Sequence, residues 1–238
     1  MPTDLIDTAD EILEALRDGQ RVEDRVFDRL LPMPLRKASY QYWTSVRVAT
    51  RVGAWLRDGG ARRVLDVGSG PGKLCVVGAI TARIEFVGLE HRAHLVEAAR
   101  HLATTFGVQH RVKFIQGDLE AFPDHDAFDA LYLYNPFGEN LFLPNDHLDD
   151  TVEISRARFH REIRRLETIL MTLRPGTQVV THNGFGGRFP GSYTLERSER
   201  AGVNPLRLWR QGERPSPDDQ YWDEGAEALR DGDITEPY

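Results

Sequence analysis

The chain has 238 residues, 40% hydrophobic and 28% charged, which suffices for one α/β domain with additions. No apolar run approaches the roughly 20 residues of a membrane-spanning helix, and the single cysteine, Cys75, excludes an internal disulfide and any cysteine-based zinc cluster. The net charge of −7 sits in Glu213 to Tyr238, with nine acidic and two basic residues; residues 1–212 balance at 28 of each sign, without the basic surplus that holds nucleic acid.

Residues 4–18 place Leu5, Ala9, Ile12, Leu13 and Leu16 on one helical stripe, and Val22 to Leu31 reads as a second short helix ending before Pro32 and Pro34. The opening residues are acidic and amphipathic, unlike a secretion signal, so the expected location is cytoplasmic. The aromatic cluster Tyr40, Tyr42 and Trp43 follows. Thr44 or Ser45 can cap a helix over Val46 to Leu56, which Gly59 and Gly60 stop. Residues 1–58 are therefore expected to form an N-terminal helical cap.

The chain is organised around VLDVGSGPGK, residues 64–73. Val64, Leu65 and Val67 read as a buried strand. Gly68, Gly70 and Gly72 then permit a sharp turn that a ligand can approach closely, and Leu74 to Ile80 continues as a helix whose first amides favour an anion. A dinucleotide fingerprint requires glycine at the sixth position of this turn, where Lys73 stands, which argues against a nicotinamide-dependent oxidoreductase.

Ile84 to Leu89 is a second strand, ending in Glu90, 18 residues beyond Gly72, where a carboxylate can accept hydrogen bonds from both ribose hydroxyls of an adenosine. A helix follows over His91 to Phe106. Val112 to Gln116 is a third strand ending in Gly117-Asp118-Leu119, and Phe128 to Tyr134 a fourth, running into Asn135-Pro136-Phe137-Gly138. Residues 139–150 make a polar connection about twice the usual length, the mark of a lid or binding loop. A long helix, Thr151 to Leu173, precedes a fifth strand, Thr177 to Thr181. Ser192 to Arg197 and Leu206 to Gln211 form a hairpin about Gly202 and Asn204-Pro205. Arg156, Arg158, Arg161, Arg164 and Arg165, interleaved with Glu153, Glu162 and Glu167, read as a solvated, ion-paired face. Residues 213–238 form an acidic tail in which only Tyr221-Trp222 and Ala226 to Leu229 could pack. The histidines are scattered, so no metal site is expected.

The alternate-glycine turn with Asp66 two residues ahead of it resembles motif I of class I S-adenosylmethionine-dependent methyltransferases. The likeness extends over residues 60–212, and the layout also resembles that of Dot1-type lysine methyltransferases. RKASYQYWT, GSGPGKLCVVGAI and YLYNPFGENL are similar to segments of a group of bacterial methyltransferase-domain proteins. The resemblance implies a Rossmann-like, seven-stranded α/β sheet with helices on both faces over residues 59–212, and S-adenosylmethionine as cofactor. It implies Asp66 near the methionine ammonium and the amides after Gly68 and Gly70, with Ser69 and Gly72, near its carboxylate. Glu90 would hold the ribose, Asp118 and Leu119 the adenine, and Trp43 and Thr44 would close over the turn.

Asn135-Pro136-Phe137 is similar to the Asn-Pro-Pro-Tyr signature of enzymes that methylate planar amines, but lacks the second proline. On that likeness Asn135, which also borders the cofactor, Phe137 and Glu139 are the candidate catalytic residues. That likeness implies an amine nitrogen as the methylated atom; the acceptor itself, expected to be a small molecule or a protein, is not named by the sequence. The alternative is a non-catalytic module that binds S-adenosylmethionine or its demethylated product.

Overall fold

A computed structural model describes residues 8–120, 124–213 and 221–223. The chain falls into two compact units, Met1–Pro123 with Ala127–Tyr132, and Asp124–Asp126 with Leu133–Tyr238.

The first unit opens with helix α1, Ala9–Arg17, started by a capping box: the Glu11 amide donates to Thr8 Oγ1 at 3.3 Å and the Thr8 amide to Glu11 Oε2 at 2.9 Å. Ile12, Ala15 and Leu16 form its buried face. Helix α2, Asp24–Phe27, tightens into a 3-10 turn over Asp28–Leu30. Helix α3, Met33–Tyr42, occupies a stretch that the sequence marks only by prolines and aromatics. Pro34 was expected to close the preceding helix; it lies instead in the first turn of α3, where a missing N–H costs nothing and the fixed φ is already helical. Helix α4, Val46–Asp58, takes Ser45 rather than Thr44 as its cap, with the Val48 amide donating to Ser45 Oγ at 3.3 Å.

Strand β1, Arg63–Val67, leads through the glycine turn into helix α5, Lys73–Thr81. Strand β2, Glu85–Glu90, helix α6, Ala93–Thr105, and strand β3, Val112–Gln116, follow. The pairs β1–β2 and β2–β3 are parallel, Val64 facing Phe86 and Val87 facing Lys113. Parallel pairing requires the covering helices between strands and explains why β1 and β2 are buried almost continuously rather than at alternate residues. Val64, Leu65, Val76, Val77 and Ala99 are wholly buried. Strand β4, Ala130–Tyr134, contributes Leu131 and Tyr132 to the core.

In the second unit helix α7, Arg156–Thr172, starts five residues later than the sequence pattern suggests, because Ser155 caps it by accepting from the Arg158 amide at 3.0 Å. Its arginines are partly ion-paired: Arg161 Nη2 lies 3.1 Å from Glu153, and the buried Glu162 has Arg165 Nη1 at 3.5 Å. Strands β5, Gln178–His182, β7, Tyr193–Ala201, and β8, Asn204–Gln211, pair antiparallel. The hairpin turn is Gly202-Val203 alone; Asn204 and Pro205, expected in the turn, belong to β8 and face Ala201 and Arg200. Strand β6, Arg188–Pro190, which no sequence period marks, pairs with β9, Tyr221–Asp223. Phe189 of β6 stacks on Trp209 at 4.6 Å and contacts Phe185 and Tyr193. Such an aromatic cluster holds a short strand that glycine-rich neighbours conceal.

The main sheet has the seven strands that the resemblance implies, in the order β3-β2-β1-β4-β5-β8-β7, ending in the antiparallel pair β8–β7. Among the described residues no helix is long and apolar enough to cross a membrane. The expectations for Leu5 and for Ala226 to Leu229 fall outside the described residues.

Candidate active site

The glycine turn is held from below and behind. The amides of Gly68 and Ser69 both donate to the Leu89 carbonyl, at 2.8 and 3.1 Å, so the loop hangs from the end of β2. Gly68, Gly70 and Gly72 have φ of 74, 53 and 78°, in the left-handed region. At Gly70 the need is also steric: a Cβ there would lie 2.7 Å from Trp43 Cζ3. Trp43 is fixed in turn by its indole N–H, which donates to the Leu35 carbonyl at 2.9 Å. Beside it Thr44 Oγ1 shares a buried 2.9 Å hydrogen bond with the Tyr132 hydroxyl.

Glu90, at the carboxyl end of β2, is 5% exposed. Its Oε2 accepts from the Gly70 amide and its Oε1 from the Arg92 amide, both at 2.9 Å. Burial raises its pKa, opposed by those amides and by the Arg92 charge. The His91 amide also lowers the pKa, and a carboxylate with about four acceptor positions can still accept from a ligand hydroxyl. The Gly117 amide donates to the Glu90 carbonyl at 2.9 Å, which sets Asp118 at the neighbouring strand end. There Asp118 Oδ1 accepts from the Glu120 amide at 3.0 Å, and Leu119 is buried. Ser69 Oγ is buried and makes no hydrogen bond among the described residues. Trp43, Gly70 and Glu90 thus come together at the turn. Tyr132 as the partner of Thr44, and Lys73 as more than an argument against a dinucleotide, carry no local signal.

Asp66, on β1, is 3% exposed and accepts from the Cys75 thiol at 3.3 Å. Burial pushes its pKa up to about 7; the Cys75 bond opposes the shift and the Glu90 charge adds to it. Burial, with the Asp66 charge and that hydrogen bond, raises the Cys75 thiol in turn. A carboxyl whose pKa rises on folding stabilises the fold fully below its unfolded value near 4, and that contribution is lost as pH climbs through about 7. The unliganded protein is therefore expected to lose on the order of a few kcal/mol of stability between pH 4 and 7 from this group. Urea titrations at pH 5, 6, 7 and 8 should show Asp66→Asn with a shallower decline; equal slopes in both proteins would refute the assignment.

In the second unit Asn135 directly follows β4, and its φ of 37° is left-handed, a conformation that asparagine tolerates better than most residues. Its amide donates to the Gly184 carbonyl at 3.0 Å and its carbonyl accepts from the Gly138 amide at 3.0 Å. The side chain folds over Gly138, where a Cβ would meet Asn135 Nδ2. Phe137 is 8% exposed. Glu139 Oε1 accepts from the Leu148 amide at 2.7 Å, and Asn140 Oδ1 from the Ser155 amide at 3.2 Å, so the connection after β4 is tied at both ends and carries two 3-10 turns. His182, at the end of β5, stacks on Tyr134 with centroids 4.1 Å apart. Burial lowers its pKa to about 4, so it is neutral at physiological pH. Among the described residues no group of three or more His, Cys, Asp or Glu side chains is placed to hold a metal ion.

A parallel βαβαβ arrangement with a glycine turn after β1 and a carboxylate at the end of β2 defines a protein of nucleotide-cofactor type. Residues 59–177 match the family model described as a methyltransferase domain. The fold resembles the RNA methyltransferase of Salinibacter ruber crystallised with S-adenosyl-L-homocysteine, at a TM-score of 0.51 and 23% identity over 79% of this chain and 97% of that one. It also resembles TrmN from Thermus thermophilus, at 0.53 and 19% over 74% and 51%, and the mitomycin 7-O-methyltransferase MmcR, at 0.50 and 19% over 70% and 54%. These three likenesses establish the fold. No protein of curated function matches the sequence. The chain belongs to the methyltransferase-domain family and is an S-adenosylmethionine-dependent methyltransferase.

Proposed function

We propose that this methyltransferase holds its cofactor in the turn bounded by Trp43, Asp66, Gly70 and Glu90 and methylates an amine nitrogen of a small-molecule or protein acceptor. The observation that carries the cofactor assignment is the buried Glu90 carboxylate, which clamps the Gly70 amide and keeps acceptor capacity in reserve. The other residues fit. The orphaned Ser69 hydroxyl needs a polar partner, and the buried Asp66 carboxyl is one that an ammonium beside it would hold ionised. Asp118 and Leu119 are assigned to the adenine, Thr44 to the wall beside Trp43, and Gly68 and Gly72 to the close approach of the backbone. A lone, buried thiol suits a reducing, cytoplasmic compartment.

When bound, the cofactor supplies an electrophilic methyl group on sulfur with a neutral thioether as leaving group. What the chain must do is bind, align and exclude water, and alignment alone can supply several kcal/mol of barrier reduction. Asn135, Phe137 and Glu139 are assigned to the acceptor, because in sheets of this order ligands lie beyond the carboxyl ends of the strands. Glu139 is engaged with the Leu148 amide and His182 is a weak base, which suits a neutral amine that brings its own lone pair.

Asn135→Ala should retain binding of S-adenosylhomocysteine within about twofold while turnover falls by about 100-fold, the pattern of a group that acts on the acceptor. A screen of primary amines and amine-bearing peptides with tritiated cofactor provides the turnover readout. Unchanged turnover in Asn135→Ala would remove this residue from the mechanism.

A further inference from the structure

We propose that Lys73 is a positioning residue, whose buried ammonium latches the N-terminal helices to the glycine turn and thereby seats Trp43 over Gly70. The proposal rests on reading that turn as the cofactor cradle. Lys73 is the first residue of α5, and its side chain is 2% exposed. A cation is disfavoured at the positive end of a helix, and burying an ammonium is costly unless every N–H finds an acceptor. All three do: Asp28 Oδ1 lies at 2.7 Å, Asp24 Oδ1 at 2.5 Å and Ser39 Oγ at 3.3 Å, with the Phe27 ring 5.7 Å away.

Ser39 lies on α3, which leads directly into Trp43, and Asp24 and Asp28 lie on α2 and the 3-10 turn that precede it. Asp24 Oδ1 also accepts from the Val46 amide at 2.9 Å, which ties the latch to the start of α4. Ser39 is one turn before Trp43, whose amide donates to the Ser39 carbonyl at 3.1 Å. The Trp43 ring then returns over Gly70, three residues ahead of Lys73. The path from turn to ammonium to α3 to indole and back to the turn is closed. An uncharged side chain at position 73 could fill the same space, but it would leave Asp28, itself 5% exposed, without its cation and the last turn of α3 without its tether.

The test is a double-mutant cycle on S-adenosylhomocysteine affinity, measured by calorimetry, with Lys73→Met, Trp43→Leu and both together. Each single change is expected to raise Kd by about tenfold, and the pair by little more than either alone, because both act through one seat. Lys73→Arg, which keeps the charge, should recover most of the loss. Effects that multiply to about 100-fold would mean that the two residues act independently and would overturn the latch, as would wild-type affinity in Lys73→Met. If Lys73→Met does not fold, Asp24→Asn, at a partner whose side chain is 44% exposed, replaces it in the same cycle with the same two readings. A wild type that fails to bind, or binds equally well as Glu90→Ala, sinks the cradle and the latch together. A wild type that depends on Glu90 but not on Lys73 sinks the latch alone.

Discussion

Gly70→Val is expected to abolish cofactor binding, with Kd for S-adenosylhomocysteine raised by at least about 100-fold, on two independent grounds. The first is conformational: φ is +53° at Gly70, and a residue with a Cβ in the left-handed region costs about 1–2 kcal/mol, with β-branching worse. The second is crowding. The added Cβ lies 2.7 and 2.8 Å from Trp43 Cζ3 and Cε3, and the indole cannot simply swing aside, because its N–H is held by Leu35 and its backbone by Ser39. Either Trp43 leaves the turn or the turn leaves Trp43, and in the second case the Gly70 amide also loses Glu90. Gly60→Ala is the control. Gly60 has φ of +87° but nothing within 4 Å of its Cβ position, so it carries the backbone penalty without the crowding. It should lower thermal stability and leave affinity unchanged. Equal loss of binding in both variants would show that global destabilisation, not the shape of the turn, is responsible.

The contrast between these two glycines also shows what a sequence discloses. That Gly68, Gly70 and Gly72 form a turn follows from their spacing after an apolar strand, and the strands and helices from residue 46 to 116 follow from uninterrupted apolar runs punctuated by glycine. Pro34 misleads because a proline can close one helix or open the next, and the choice depends on where Arg36 and Trp43 find their acceptors. Strand β6 is hidden because a three-residue strand has no period; its existence rests on Phe189 finding Trp209. Within the candidate site, the place of Glu90 at the end of β2 was legible. Its grip on Gly70 was not, and neither was Lys73 with Asp28, 45 residues apart, nor Thr44 with Tyr132, 88 apart. Contacts of that separation are decided by packing, on which local periodicity is silent.

Glu90→Ala should be nearly as severe for binding and far more informative about mechanism. If the ribose hydroxyls donate to this carboxylate, removing it forfeits two hydrogen bonds to a charged group, about 1.5–3 kcal/mol each, so affinity should fall by about 100-fold or more. The same substitution orphans the amides of Gly70 and Arg92, which Glu90 now satisfies at 2.9 Å. The fold therefore loses stability as well, and a stability effect must be separated from a binding effect. Glu90→Gln does so. It keeps the volume and one acceptor oxygen but presents an NH2 group to one of those two amides, so it should bind about tenfold or more weakly while unfolding closer to wild type than Glu90→Ala. Both variants also remove the charge that helps hold the Asp66 pKa near 7, so each should shift the pH-dependent loss of stability to lower pH. A carboxylate that merely braced the glycine turn would show affinity falling in step with stability across the two variants. A ribose ligand predicts that Glu90→Gln, although more stable than Glu90→Ala, still binds poorly.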